Sequence, residues 1–138
     1  MMKLIVVLSF ILAVIALAKS NQLYKPDGPK VCGKLLRTPA NVVEAFDIRQ
    51  PADNPDTHCL VRCLGVINRY YDDETGPNWE RIEEIHNGKP GLEDHRRDTS
   101  ACIEAIQPEQ YGDNYCHKSY LHFQCAMESY KKNIRKQE

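Results

Sequence analysis

The 138-residue sequence has no excess of charge of either sign, with 18 Lys and Arg against 19 Asp and Glu. Near-neutrality removes the long-range attraction that draws basic proteins onto nucleic acid or anionic membrane, so neither is expected as a partner. No Asn-x-Ser/Thr sequon occurs, and N-glycosylation is not expected. Convincing strand alternation, internal repeats, low-complexity tracts and long linkers are missing as well, which points to one all-α domain. The local signatures of familiar enzymes are also absent: there is no Gly-x-Ser-x-Gly elbow, no His-Glu-x-x-His and no Cys-Cys-x-x-His-Asp run. The expectation is a protein that is not an enzyme and needs no cofactor.

One long apolar run does occur, at the start. From Leu4 to Ala18 it is shorter than the roughly 20 residues that span a bilayer. It follows Lys3 and ends in Ala16-Leu17-Ala18, the small-x-small form of a signal-peptidase site. Residues 1–18 therefore read as a secretory signal, with a mature, extracellular chain starting near Lys19 and carrying no membrane anchor. Residues 19–138 have the length of a single domain with its own core.

All six cysteines, Cys32, Cys59, Cys63, Cys102, Cys116 and Cys125, lie beyond that signal. An even count in an exported chain of this size implies three disulfides. The hexapeptide HCLVRC, residues 58–63, sets Cys59 and Cys63 one helical turn apart. Helical residues four apart have Cβ atoms about 5–6 Å apart, whereas a disulfide needs about 3.5–4.5 Å. These two therefore do not pair. Nine steps along the last helix place Cys116 and Cys125 on opposite faces, about 13 Å apart in rise, and exclude that pair too. Ten of the fifteen complete pairings survive, and geometry does not choose among them.

Helical periodicity fills the rest. Val42, Val43 and Phe46 follow Thr38 and Pro39, a cap and a first-turn proline. Asp56 or Thr57 is expected to cap a helix whose stripe is Cys59, Leu60, Cys63, Leu64, Ile67 and Tyr70 or Tyr71. The acidic stretch 72–77 is a turn. Trp79, Ile82 and Ile85 mark a brief helix closed by Asn87-Gly88, and a longer one runs from Leu92 to Ile106. The last starts near Asp113 with Cys116, Tyr120, Phe123, Met127, Tyr130 and Ile134 on one face and a basic end at Lys131, Lys132, Arg135 and Lys136. The Pro-Asp-Gly-Pro stretch before Val31 reads as a loop.

Between successive cysteines lie 26, 3, 38, 13 and 8 residues. This spacing, above all C-LVR-C and C-HKSYLHFQ-C, resembles the six-cysteine type of the insect odorant-binding protein family, the pheromone-binding and general odorant-binding proteins, from about Val31 to Ile134. The resemblance implies a compact bundle of about six helices, one of them near the start of the mature chain, around an internal apolar cavity. It also implies bonds from Cys32 to Cys63, Cys59 to Cys116 and Cys102 to Cys125. The implied activity is carriage of a small hydrophobic molecule, an odorant, pheromone or fatty-acid-like ligand, without chemical conversion.

Candidate ligand-facing residues are Phe46, Ile67, Tyr70, Trp79, Ile82, Tyr120, Phe123 and Met127. Each has a plain alternative as core filling. Phe123 and Met127 gain weight from the resemblance, in which the last helix walls the cavity. Tyr120 offers a hydroxyl to a polar head group, and Met127 adapts to varied shapes. Zinc at the two HCLVRC cysteines with His58, His117 or His122 is a rival, but it requires thiolates that an exporting compartment oxidises. Most of the five histidines are expected at the surface, with His117 and His122 as candidates for a pH-dependent cavity wall. Two other readings stand beside the carrier. One is a sequestering protein for host amines or lipid mediators on the same scaffold; the other is a secreted protein recognised by a membrane receptor, with no functional cavity.

Overall fold

The computed structural model describes residues 27–47 and 50–135. The expected signal at 1–18, the start near Lys19, the first residues of the Pro-rich stretch and Lys136 lie outside the described residues. Six α-helices occur among those described: α1 Gly28–Leu36, α2 Ala40–Asp47, α3 Pro55–Ile67, α4 Trp79–His86, α5 Leu92–Glu104 and α6 Tyr115–Asn133.

Local chemistry explains where these helices start, and it corrects several expected boundaries. The stretch expected as a loop is helical from Gly28, because Pro29 in the first turn forfeits no hydrogen bond there. The cap of α3 is Asn54, not Asp56 or Thr57: Pro55 occupies the first turn, and the Asn54 Oδ1 accepts from the Thr57 amide at 2.9 Å. In the same way Asn114 caps α6, accepting from the His117 amide at 2.9 Å, so the helix starts two residues after Asp113. Helix α5 stops at Glu104 and leaves Ile106 outside it.

The acidic stretch after α3 holds a minimal antiparallel pair that alternation did not announce, β1 Tyr71–Asp72 and β2 Gly76–Pro77, with Tyr71 opposite Pro77. Two residues a side are too few to show a period of two. The turn between them is built by Asp72, whose Oδ1 accepts from the amides of Glu74 and Thr75, both at 2.9 Å. Gly76 supplies the positive φ of 80° that closes it.

The disulfides are Cys32 to Cys63, joining α1 to α3, Cys59 to Cys116, joining α3 to α6, and Cys102 to Cys125, joining α5 to α6. Helix α6 is thus fastened on opposite faces and packs between α3 and α5. A small dry core of Cys32, Val42 and Leu60, backed by Phe46, Cys63 and Leu64, lies where α1, α2 and α3 meet. There α1 and α2 approach so closely that a Cβ on Gly33 would stand 2.7 Å from Val43. Among the described residues no helix is long and apolar enough to cross a membrane.

Candidate ligand-binding site

Steps of three and four along α6 put Tyr120, Phe123, Met127, Tyr130 and Ile134 on one stripe. At its first half this stripe builds a row of rings with α2 and α3. Phe46 lies 6.3 Å from Phe123, Phe123 lies 6.3 Å from Tyr120, and Tyr120 stacks on His58 at 4.2 Å. His58 stacks in turn on His117 at 5.0 Å. Tyr120 is buried, whereas Phe46 and Phe123 are only half-buried, so part of both phenyl rings is left uncovered. Burial and the nearby Asp53 carboxylate push the Tyr120 phenol upward, which keeps it a neutral hydrogen-bonding hydroxyl.

The other candidates fall elsewhere. Trp79 and Ile82 are half-buried on α4, with the Trp79 ring 5.7 Å from that of His95. Met127 is exposed at 37%, which corrects its expected place on the inward stripe of α6. Ile67, the last residue of α3, and Tyr70, which lies in the bend beyond the helix and not on its stripe as expected, are exposed at 41% and 37%.

Three histidines, His58, His95 and His122, are buried, which corrects the expectation that most lie at the surface. Two of them, His58 and His95, are hydrogen-bonded, whereas the Nδ1 of His122 is buried without a partner among the described residues. His58 Nε2 meets the Asp53 carboxylate at 2.6 Å. His95 joins Ser129, Thr99 and, through Ser129, Asn133 in a hydrogen-bonded seam between α5 and α6. His122 stands edge-on to Tyr71, and burial and Lys118 hold its imidazole below the usual histidine value. Burial likewise pushes the Tyr71 phenol up to about 12. These polar residues were missed as site residues. The available signal was polar side chains at core-facing positions: His95 and Thr99 one turn apart on α5, Ser129 and Asn133 one turn apart on α6.

The half-buried carboxylates Asp73 and Asp98 are already matched. Asp73 is gripped by the Arg62 guanidinium, which lowers its pKa. Asp98 is lowered by Lys132, Asn133 and Arg97. All six cysteines are in disulfides, which removes the thiolates a zinc site at HCLVRC would need. Among the described residues no three His, Cys, Asp or Glu side chains converge as metal ligands.

Three joined helix pairs with this cysteine order and ring-lined interior invite comparison with known proteins. The sequence profile of the PBP/GOBP family matches residues 29–129. The chain belongs to the PBP/GOBP family. Its fold is that of solved family members from Anopheles gambiae. Odorant-binding protein 22a superposes with a TM-score of 0.64 at 28% identity, covering 77% of this chain and 99% of that one. The same protein with bound cyclohexanone gives a TM-score of 0.65 at 27% identity, covering 78% and 92%. A third structure, described as in the open status for ligand binding, gives 0.57 at 30%, covering 69% and 80%. A search of curated proteins found no match. PBP/GOBP membership makes this a binding scaffold, and the half-buried rings of Phe46 and Phe123 beside α6 are candidate ligand-facing surface.

Proposed function

We propose that this PBP/GOBP chain is a secreted carrier that encloses a small hydrophobic molecule between its helices and releases it chemically unchanged. The single observation that carries the reading is the relative with the bound odorant cyclohexanone, aligned over 92% of its length. The half-buried rings of Phe46 and Phe123 support it, because uncovered aromatic surface gains free energy when an apolar ligand covers it, at about 25 cal/mol per Å². Tyr120, Trp79 and Ile82 would complete the inner wall, with the exposed Met127, Ile67 and Tyr70 at its edge. Sequestration of amines is less favoured, since Asp73 and Asp98 already hold cations of the chain itself.

The test is titration of the oxidised, signal-free protein with a fluorescent naphthylamine. Saturation near one probe per chain, reversed by volatile ketones or fatty acids, is the expected result. Absence of saturable binding in protein with all three disulfides formed overturns the reading.

A further inference from the structure

The face of α6 that carries Phe123 continues past Met127 to Tyr130, about 10.5 Å along the axis, and there the surroundings change. The Tyr130 ring lies 6.0 Å from that of His95, and His95 lies 5.7 Å from Trp79, both pairs nearly edge to face. His95 is only 4% exposed. Its Nδ1 sits 3.0 Å from the Ser129 Oγ, with the Thr99 hydroxyl farther off at 3.4 Å.

Counting donors assigns the proton in this contact. The one hydroxyl proton of Ser129 goes to the His95 carbonyl oxygen at 2.9 Å, which can only accept. Asn133 donates through Nδ2 to the same Oγ at 3.2 Å and to the Asp98 carboxylate at 3.0 Å, an orientation the carboxylate dictates. The Ser129 oxygen then has only lone pairs left for His95, so the ring must donate from Nδ1. A neutral imidazole protonated on Nδ1 carries a bare lone pair on Nε2. Burial holds the ring below its usual pKa and so in this neutral form. Nε2 has no hydrogen-bond partner among the described residues. The ring keeps a little exposure and Nε2 is not fully enclosed, so a donor from a bound molecule can reach its lone pair.

We propose that His95 Nε2 accepts a hydrogen bond from a hydroxyl of the bound molecule, whose hydrocarbon lies along the Met127 face toward Phe123. The cargo class this selects is a medium-length alcohol or a phenol, in preference to an ether, a ketone or a hydrocarbon of the same size. The inference rests on the carrier reading and deepens it, by naming a polar group that would anchor the cargo and what that group recognises.

Calorimetric titration of the oxidised protein with 1-octanol and with its methyl ether separates the two levels. In His95→Phe, which keeps a ring beside Trp79 and Tyr130, the preference for alcohol over ether should fall about fivefold, the size of one ordinary hydrogen bond. If the ratio is the same in variant and wild type, the assignment to His95 is wrong while the carrier reading stands. If neither compound nor the naphthylamine binds the wild type, the carrier reading fails and takes the assignment with it. Should the variant fail to fold, nitrogen-15 spectra of the wild-type histidines decide. A free-state proton on Nδ1 and an Nε2 resonance that moves with octanol but not with the ether are expected. A free-state proton on Nε2, or an Nε2 resonance unmoved at saturating octanol, overturns the proposal.

Discussion

In its first half α6 meets its neighbours through rings, Tyr120 on His58 and Phe123 on Phe46. In its second half it meets α5 through directed hydrogen bonds among Ser129, His95, Asn133 and Asp98. Each half is also tied by a disulfide, to α3 through Cys116 and to α5 through Cys125. The contrast separates two ways of holding one helix. Ring contacts have shallow orientation preferences and tolerate a guest sliding between them. A buried hydrogen-bond network tolerates little displacement, because each lost partner leaves a desolvated polar group. The ring half is thus the adjustable side of α6 and the polar half the fixed one.

The largest way to break this comparison is to cut the two ties separately. Cys59→Ala with Cys116→Ala, and Cys102→Ala with Cys125→Ala, should each cost about 2–4 kcal/mol in denaturant unfolding. The first pair spans 57 residues and the second 23. Loop entropy makes the first the costlier by about 0.8 kcal/mol. The reverse order would mean that the polar half leans on its disulfide more than chain entropy predicts.

Point substitutions sharpen the contrast next. Ser129→Ala strips partners from the His95 ring, the His95 carbonyl and Asn133 at once, and should cost about 1–3 kcal/mol of stability. Phe123→Ala should behave differently, because the ring is only half-buried. About 1 kcal/mol of stability and about a tenfold loss of probe affinity are expected. Equal effects of the two substitutions on probe binding would erase the distinction between a fixed and an adjustable side of α6.

Acid comes next in size. His95 and His122 are both held below the usual histidine pKa by burial, with His86 adding to the effect at the first and Lys118 at the second. The unfolded chain therefore takes up protons near about pH 6.5 that the folded chain refuses. Stability is complete above that pH and declines as the pH falls through it toward the depressed folded values. Thermal midpoints measured from pH 7.5 to 5 should drop, and His122→Gln should flatten part of the slope. A midpoint rising toward acid would contradict the burial of both rings. Smallest of all, Arg81→Ala removes an exposed pair with Glu84 that belongs to neither half of α6. It should change the unfolding free energy by no more than about 0.5 kcal/mol.

Much of the fold was legible in residue order. The stripe on α6 placed Tyr120 and Ile134 inward, and both are buried. The same stripe placed Met127 inward, yet it is 37% exposed, since a period names the face of a helix and not how far a neighbouring helix covers it. Ile67 ends the α3 stripe that buries Leu60 and is exposed there, while Tyr70, expected on the same stripe, lies in the bend beyond the helix end. The caps were legible as residue types and displaced by a residue or two, because Pro55 shifted the cap of α3 back to Asn54. The buried seam was the least legible part. His95, Thr99, Ser129 and Asn133 look like surface residues until two helices are laid side by side and their polar atoms satisfy one another.

What the sequence determined alone was local: the helix faces, the two forbidden cysteine pairs and the balance of charge. These follow from rise and rotation per residue, which need no knowledge of a partner. Which of ten disulfide sets forms, which histidines lose their water, and which rings meet across α2, α3 and α6 were decided only in the tertiary structure. Those outcomes depend on distances between helices far apart in the chain, and each is settled by the packing of the whole bundle at once.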